Sequence, residues 1–92
     1  MSVYVGPAKY PYGGMIMCHM VADDLDELHA MAKQIGVSRW FQNEGRYPHY
    51  DVSKGRRAMV VQFGGIETDE RRIIKIAKAC KAMKQEEQDN GR

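Results

Sequence analysis

The pattern of apolar and polar residues divides the chain into short extended segments and longer helical ones. Residues 2–5 are β-branched around Tyr4, which predicts a first strand. Residues 15–21 form an apolar run of strand length, interrupted by His19, and continuous apolarity is typical of a strand covered on both faces. Alternation along this run places on one face Met15, Met17, His19 and Val21, and on the other Ile16, Cys18 and Met20.

The two predicted strands are separated by residues 6–14, which contain two prolines and three glycines. This composition predicts a loop, because Pro removes backbone donors and Gly weakens regular structure. A helix is predicted after the second strand, where Asp24 and Glu27 have capping-box spacing and Gly36 is a natural stop. Its apolar stripe consists of Leu25, Leu28, Met31, Ala32 and Ile35.

The second half of the chain is predicted to continue with residues 37–42 as a short strand and 43–48 as a loop. Residues 49–52 are expected to be extended and 66–67 to form a short strand. Residues 53–64 carry both helical and alternating features. The cap at Ser53 favours helix there.

The last helix is predicted from Thr68 as its cap, with Asp69 and Glu70 in the first turn, where the helix dipole favours acidic groups. Its buried stripe is expected to contain Ile73, Ile76, Ala77, Cys80 and Met83. The helix should fray near Glu86, and residues 89–92 should form a disordered end.

This order of elements predicts an α/β fold, in which a small sheet and two to three helices form a two-layer sandwich. The chain has 92 residues, so residues 1–88 are expected to form a single domain. Loops that follow strands should bring Asp23, Gln42 and His49 toward one edge, where open α/β sheets usually bind ligands. With so thin a core, a bound ligand or a homo-oligomer interface would add to stability.

Composition and charge narrow the partners and the compartment. The formal charge of +2 is too small to argue for nucleic acid or membrane, and the lysines that recur from Lys75 fit a solvated helix face. Cys18 and Cys80 are far apart in the chain, as expected of two free thiols in a reducing compartment. No segment approaches the roughly 20 apolar residues of a membrane span, and Pro7 and Pro11 replace the apolar run of a secretory signal. We therefore expect a cytoplasmic protein.

Three blocks of the sequence resemble a family of small bacterial and phage proteins catalogued only as a domain of unknown function. They are residues 18–30 (Cys-His-Met-Val-Ala-Asp running into Asp-Glu-Leu-His-Ala), 40–42 (Trp-Phe-Gln), and 48–52 (Pro-His-Tyr-Asp-Val) followed by Arg56-Arg57-Ala58 and Gly64. The resemblance covers about residues 2–67. The chain departs from the family pattern where Gly6 replaces an Asp and Met17 a Trp. The resemblance implies a bacterial or phage cytoplasmic protein. It does not imply any particular activity, because the family is catalogued without one.

The candidate chemistry centres on His49 and Asp51, which point to the same side of an extended segment. Either they act as an oriented base, or they bind a metal ion, or they fix a loop by hydrogen bonding, or Asp51 caps the following helix. His19 lies in an apolar run and needs a partner. If the strands place it beside His49, two imidazoles and one carboxylate would suit a divalent ion such as Zn²⁺; otherwise His19 is a satisfied core residue.

Several other residues are candidates for ligand binding. Trp40 and Tyr50 could stack on a flat ring or belong to the core, and Gln42 could orient a ligand or a loop. Arg56 and Arg57 could hold a phosphate near a helix N-terminus or remain solvated. His29, on the edge of the first helix, is assigned a structural role.

Three functions follow from these candidates. The leading hypothesis is a module that binds, and in a phage sequesters, a compact anionic ligand such as a nucleotide or phosphate ester. The second is a hydrolase of the same ligand class that uses His49, Asp51 and His19, with or without a metal ion. The third is a nucleic-acid or protein adaptor. Dinucleotide-binding, Walker and Gly-x-Ser-x-Gly patterns are absent from the sequence.

Overall fold

The computed structural model describes residues 2–42 and 48–90, with side chains given for 2–39, 41–42 and 48–80. Within these ranges the chain forms a mixed six-stranded sheet and three α-helices, which confirms the α/β class. The strands are β1 (Val3–Val5), β2 (Tyr10–Tyr12), β3 (Met15–Ala22), β4 (Phe41–Gln42), β5 (His49–Ser53) and β6 (Ile66–Glu67). The helices are α1 (Leu25–Ile35), α2 (Lys54–Gln62) and α3 (Glu70–Asn90), with a 3-10 turn at Ser38–Trp40.

The sheet is organised around β3, the longest strand. Its order is β4-β5-β3-β1-β6, and β2 also pairs with β3. The pairs are antiparallel except for β1 and β6, which run parallel. The α2 helix connects β6 to β5, which has the same direction as β1, and such a crossover makes strands parallel. Because β3 contacts three other strands, residues from β2 and β5 are brought to the same face on either side of it.

The structure differs from the predicted loop at residues 6–14, because β2 forms there and pairs with β3. Tyr10 lies opposite Met17 and Tyr12 opposite Met15, so the two strands make a hairpin. The turn is Gly13-Gly14, with φ of 56° and 81°, a conformation that glycine adopts without strain. Proline is tolerated in β2 because the strand pairs on one side only among the described residues.

Helices cover both faces of the sheet. The fold therefore has three layers, one more than the predicted two-layer sandwich. One core cluster joins α1 and α2 to the face that carries Cys18, Met20 and Tyr50. A smaller cluster on the opposite face joins Val21 of β3 to Ile73 and Ala77 of α3. The continuous apolarity of β3 matches this arrangement, since side chains that alternate along it are buried under different helices.

The helix boundaries follow from local capping. The Asp24 carboxylate accepts a hydrogen bond from the Glu27 backbone N–H at 2.8 Å, and Gly36 ends α1 with φ of 81°, both as predicted. The Ser53 hydroxyl accepts a 3.3 Å bond from the Arg56 N–H, so the helical interpretation of residues 53–64 is confirmed.

The start of α3 differs from the prediction. Asp69, not Thr68, supplies the cap, since its carboxylate accepts a 2.8 Å hydrogen bond from the Arg72 N–H. The Thr68 N–H instead donates to the Val5 carbonyl, which extends the pairing of β1 with β6 and delays the helix. The helix is assigned as far as Asn90, and residues 91–92 lie outside the described part of the chain.

The predicted buried stripe of α3 is confirmed for Ile73, Ala77 and Cys80, and Ile76 is half-buried. Met83 lies beyond the described side chains. None of the helices within the described residues combines the length and the apolar composition needed to cross a bilayer.

Candidate metal centre

The antiparallel register of β3 with β5 determines where the polar side chains of the sheet meet. His19 lies directly opposite Asp51, and His49 lies two residues before Asp51 on the same strand. Since alternate residues of a strand share a face, all three side chains project from the α3 side of the sheet. His19 and His49 therefore converge although thirty positions separate them in the chain.

The three side chains form a compact set of potential metal ligands. His19 Nε2 and His49 Nε2 each lie 3.5 Å from Asp51 Oδ1. One donor atom from each residue can be chosen so that all lie within 4.8 Å of one another. The imidazole rings meet edge to face, with centroids 5.0 Å apart. The arrangement that the sequence left open is therefore present, and we call His19, His49 and Asp51 the triad.

The separations of the two imidazoles from Asp51 are compatible with a shared ion. An N–H···O hydrogen bond is about 2.7–3.2 Å long, so contacts of 3.5 Å are weak ones. Two ligand atoms, each about 2.1 Å from one ion at a tetrahedral angle, are about 3.4 Å apart. The measured separations from Asp51 to the two imidazoles match that value.

Glu70, the first residue of α3, supports the triad from outside. Its Oε2 lies 2.8 Å from His19 Nδ1, the nitrogen that does not face Asp51. A carboxylate in this position selects the tautomer that carries a proton on Nδ1, which leaves Nε2 free to coordinate a metal. The other oxygen, Glu70 Oε1, is buried without a hydrogen-bond partner in the described structure.

Sequence reasoning assigned Glu70 only a place near the helix dipole and placed Tyr10 in a loop. Tyr10 packs against His19, with ring centroids 4.6 Å apart. Burial raises the pKa of Tyr10, and the nearby Glu70 carboxylate raises it further. Finding these neighbours required knowledge that β2 and α3 both lie on the β3 face that carries His19.

The electrostatics keep the triad carboxylate ionised. Hydrogen bonding from His49 lowers the pKa of Asp51 below its ordinary value, burial opposes this shift, and the charges of His49 and His19 add to the lowering. Asp51 is therefore an anionic ligand at neutral pH. Its side chain is 40% exposed and can be reached by a ligand from solvent.

An open cavity of about 420 Å³ lies against the triad. Its walls include Tyr10, Tyr12, Met17 and Gln42 together with His19 and Asp51. We call this the tyrosine cavity. Gln42 reaches this cavity because β4 pairs with β5, which places Gln42 opposite His49. These two residues were expected to lie close together at one edge of the sheet. Asp23 is not part of this wall, and its carboxylate accepts a 2.8 Å hydrogen bond from the Ser2 N–H.

One predicted ligand-binding aromatic, Tyr50, does not lie in the cavity wall. Tyr50 is buried at 1% exposure on the opposite face, where its hydroxyl lies 2.7 Å from His29 Nδ1 and its ring contacts Phe41. His29 therefore has the structural role expected of it. The Trp40 side chain and residues 43–47 lie outside the described part of the structure.

The two predicted arginines are separated by the structure. Arg57 Nε donates to the Gly6 carbonyl at 2.7 Å, and its Nη1 pairs with Glu67 at 3.0 Å, which joins α2 to β1 and β6. Arg56 Nη1 donates to the Ile35 carbonyl at the end of α1. Arg57 thus holds elements together, whereas Arg56 also lines a second cavity beside the first.

Comparison with protein families gives a match over most of the chain. A family model described as "Protein of unknown function (DUF4031)" matches residues 3–80, a range that includes the triad and Glu70. No curated protein and no solved structure matches the chain. Since the family description names no activity, function has to be inferred from the site.

Proposed function

The chain belongs to the DUF4031 family of unknown function, as its sequence blocks predicted, and we propose a function for it from the triad. The protein binds a divalent transition-metal ion through His19, His49 and Asp51. It uses that ion to bind and hydrolyse a compact anionic ligand of the nucleotide or phosphate-ester class. The observation that carries this proposal is the convergence of two imidazoles and one carboxylate at the wall of an open cavity.

The ligand types select the metal. Two imidazole nitrogens and one carboxylate oxygen suit Zn²⁺ and its first-row neighbours, whereas Mg²⁺ and Ca²⁺ prefer oxygen ligands throughout. The 2.8 Å contact between His19 and Glu70 is the outer carboxylate that commonly supports a metal-binding imidazole. We therefore propose Zn²⁺ as the first ion to test, with Mn²⁺, Co²⁺ and Ni²⁺ as alternatives.

Three protein ligands leave at least one coordination position for water or a ligand oxygen. An ion held there would supply Lewis-acid chemistry toward a phosphoryl oxygen and would lower the pKa of bound water. Asp51 and His19 belong both to the triad and to the wall of the tyrosine cavity, so a ligand in this cavity would lie beside the ion. Tyr10 and Tyr12 offer rings on which a base can stack, and Gln42 offers an amide for its polar edge.

Metal binding and ligand turnover are tested separately. Purified protein is analysed for bound metal, titrated with Zn²⁺, and incubated with a nucleotide panel while retention and product are both measured. The test variants are His19→Ala and His49→Ala. The matched control is His29→Ala, which removes an imidazole from the opposite side of the sheet. We expect one Zn²⁺ per chain in the wild type and the control, and loss of metal and turnover in both triad variants.

The outcomes separate the functions. Metal binding with product formation supports the hydrolase. Metal-dependent retention of intact nucleotide would instead support a binding and sequestering protein, which the tyrosine-lined cavity favours as the second candidate. Equal Zn²⁺ binding by the wild type and His49→Ala would refute both functions, since each depends on the triad.

We propose the cytoplasm of a bacterium, or of a phage-infected cell, as the setting. Cys18 and Cys80 are buried and form no disulfide with each other, which suits a reducing compartment. Burial also raises the pKa of the Cys18 thiol to about 11, so this group stays protonated and unreactive at cellular pH.

A further inference from the structure

A second cavity of about 310 Å³ adjoins the tyrosine cavity. Its walls include Arg39, Ser53 and Arg56, and we call it the arginine cavity. The two cavities share Tyr12, Met17 and Asp51 as lining residues. The two cavities therefore meet at these three residues, and we call the pair, from the triad to Arg56, the channel.

The spacing of residues along β5 gives an approximate length for this channel. Asp51 lies in the triad and Ser53, two residues later, lines the arginine cavity. Two residues of an extended strand span roughly 7 Å. The channel thus extends about the length of one nucleoside beyond the triad, before it reaches the first turn of α2, where Arg56 lies.

The Arg56 guanidinium is held in a fixed position. Its Nη1 donates to the Ile35 carbonyl, one of the last carbonyls of α1, which favours a cation there. A Cβ atom on Gly36 would lie 3.3 Å from the same nitrogen, so the guanidinium packs against this left-handed turn. A guanidinium has five N–H donors, so donors remain for a ligand while one anchors the side chain.

The neighbouring arginine offers a contrast. Arg57 forms a salt bridge with Glu67, so a carboxylate already offsets its charge. Arg56 donates to a neutral carbonyl, and the first turn of α2 contains no acidic residue. The exposed Arg56 side chain lines the arginine cavity together with Asp51 and with apolar side chains such as Met17 and Val52.

From this channel we infer the class of substrate, on the premise of the proposed metal-dependent function. The substrate is a nucleotide unit with a phosphate on each side of the sugar. The reacting phosphate lies at the triad and the second phosphate binds Arg56. A planar guanidinium pairs with phosphate through two parallel hydrogen bonds, which gives both affinity and orientation.

The size of the cavities agrees with this inference. The tyrosine cavity alone, at about 420 Å³, lies near the lower end of the roughly 300–1,000 Å³ range of ligand pockets. A nucleoside with one phosphate does not need a cationic site at the far end of the channel. A second phosphate at that end would pair with the Arg56 guanidinium.

The test compares two ligands on one protein. Zn²⁺-loaded protein is titrated calorimetrically with adenosine 5′-monophosphate and with adenosine 3′,5′-bisphosphate. We expect the bisphosphate to bind roughly tenfold or more tightly, the gain typical of one charge-assisted hydrogen-bond pair. In Arg56→Ala the two affinities should become equal within about twofold, and Arg56→Lys should keep part of the preference.

The control is Arg71→Ala, which removes an equal charge from an exposed residue of α3 outside both cavities. It should keep the preference for the bisphosphate. Because both ligands are measured on each protein, a loss of stability in Arg56→Ala does not alter the comparison.

Equal affinities in the wild type, or an unchanged preference in Arg56→Ala, would overturn the two-phosphate substrate while leaving the metal-dependent function in place. If Zn²⁺ binds the triad and neither ligand binds, the proposed function fails and this inference fails with it.

Discussion

Coordination of a metal ion by His19 depends on which of its two ring nitrogens carries the proton. Glu70 Oε2, 2.8 Å from Nδ1, holds that proton away from the nitrogen that faces Asp51. Glu70 contacts the triad through His19, so we regard it as a positioning residue. Its contribution can be separated from that of the triad by replacing it alone.

We predict that Glu70→Ala weakens Zn²⁺ binding by roughly 10- to 100-fold, the usual effect of removing an outer partner of a metal-binding His. Glu70→Gln should lose less, because its amide oxygen still accepts the Nδ1 proton. Calorimetric Zn²⁺ titration measures both. Equal Zn²⁺ affinities in the wild type and Glu70→Ala would show that the contact does not orient His19.

Gly6 lies where a side chain would disturb Glu70. A Cβ atom there would be 3.0 Å from Glu70 Oε1 and 3.1 Å from Ile73 Cγ1. We predict that Gly6→Ala displaces the Glu70 carboxylate, weakens Zn²⁺ binding several-fold and costs about 1–3 kcal/mol of stability, as overpacking does.

The matched control is Gly55→Ala in α2, where a Cβ meets no atom within 4 Å. It should leave Zn²⁺ affinity unchanged and raise stability by roughly 0.5–1 kcal/mol, because alanine is the better helix former. Denaturant unfolding and Zn²⁺ titration of both variants check the pair. A Gly6→Ala variant that binds Zn²⁺ as the wild type does would contradict the role given to Glu70.

The pH dependence of the metal-free protein should report on Asp51, whose pKa is lowered first by hydrogen bonding from His49. A carboxyl with a lowered folded pKa adds stability above its ordinary pKa of 3.8, and that stability is lost as the pH falls through the folded pKa. We predict that His49→Ala raises the Asp51 pKa toward its ordinary value. Carbon-13 NMR titration of the carboxyl measures the change, and an unmoved pKa would argue against this interaction.

The residues of the triad could be predicted from the sequence because of strand alternation alone. It places His49 on the same face of its strand as Asp51, and it places His19 on the other face of its strand from Cys18. Their meeting depends on the pairing of β3 with β5, a long-range contact that no local pattern specifies. Glu70 was not predicted for the same reason. The helix dipole alone accounts for an acidic residue in the first turn of α3. The contact of Glu70 with His19 can be recognised only when the position of α3 on the sheet is known.

At the level of secondary-structure elements, the β2–β3 hairpin forms the wall of the tyrosine cavity. Tyr10 and Tyr12 reach that wall because Gly13 and Gly14 turn the chain in two residues. The ligands of the proposed ion come from β3 and β5, so the hairpin turn should affect nucleotide binding more than metal binding.

We predict that Gly14→Ala, at φ of 81°, lowers stability by roughly 1–2 kcal/mol and weakens nucleotide retention, while Zn²⁺ affinity stays within about twofold. A Cβ at Gly14 meets nothing within 4 Å, so any loss comes from backbone strain. Unfolding, retention and Zn²⁺ titration provide the measurements. Nucleotide retention equal to that of the wild type would show that the hairpin is not part of the binding site.

The elements that could be predicted are those specified by residues close to them in the sequence. Caps at Asp24 and Ser53 and the stop at Gly36 specify α1 and α2 within the chain itself. By contrast, β2 exists because β3 pairs with it. Its composition of Pro and Gly indicates a loop unless Gly13-Gly14 is recognised as a two-residue hairpin turn between Tyr-Pro-Tyr and Met-Ile-Met.

On the scale of the whole molecule, the third layer creates the site. The α3 helix covers only part of the sheet face, over Val21, and its first residue reaches His19. The uncovered part of the same face holds the tyrosine cavity. A polar cluster at the margin of a covering helix is half-buried, and there a metal ion can be held by protein and still reached by a ligand.

The most direct test of the account is anomalous diffraction from crystals of the Zn²⁺-loaded protein. We predict one peak within roughly 2.0–2.2 Å of His19 Nε2, His49 Nε2 and an Asp51 carboxylate oxygen, and no peak there in His49→Ala crystals. A peak at other residues, or Zn²⁺-loaded crystals without a peak at the triad, would contradict the central claim.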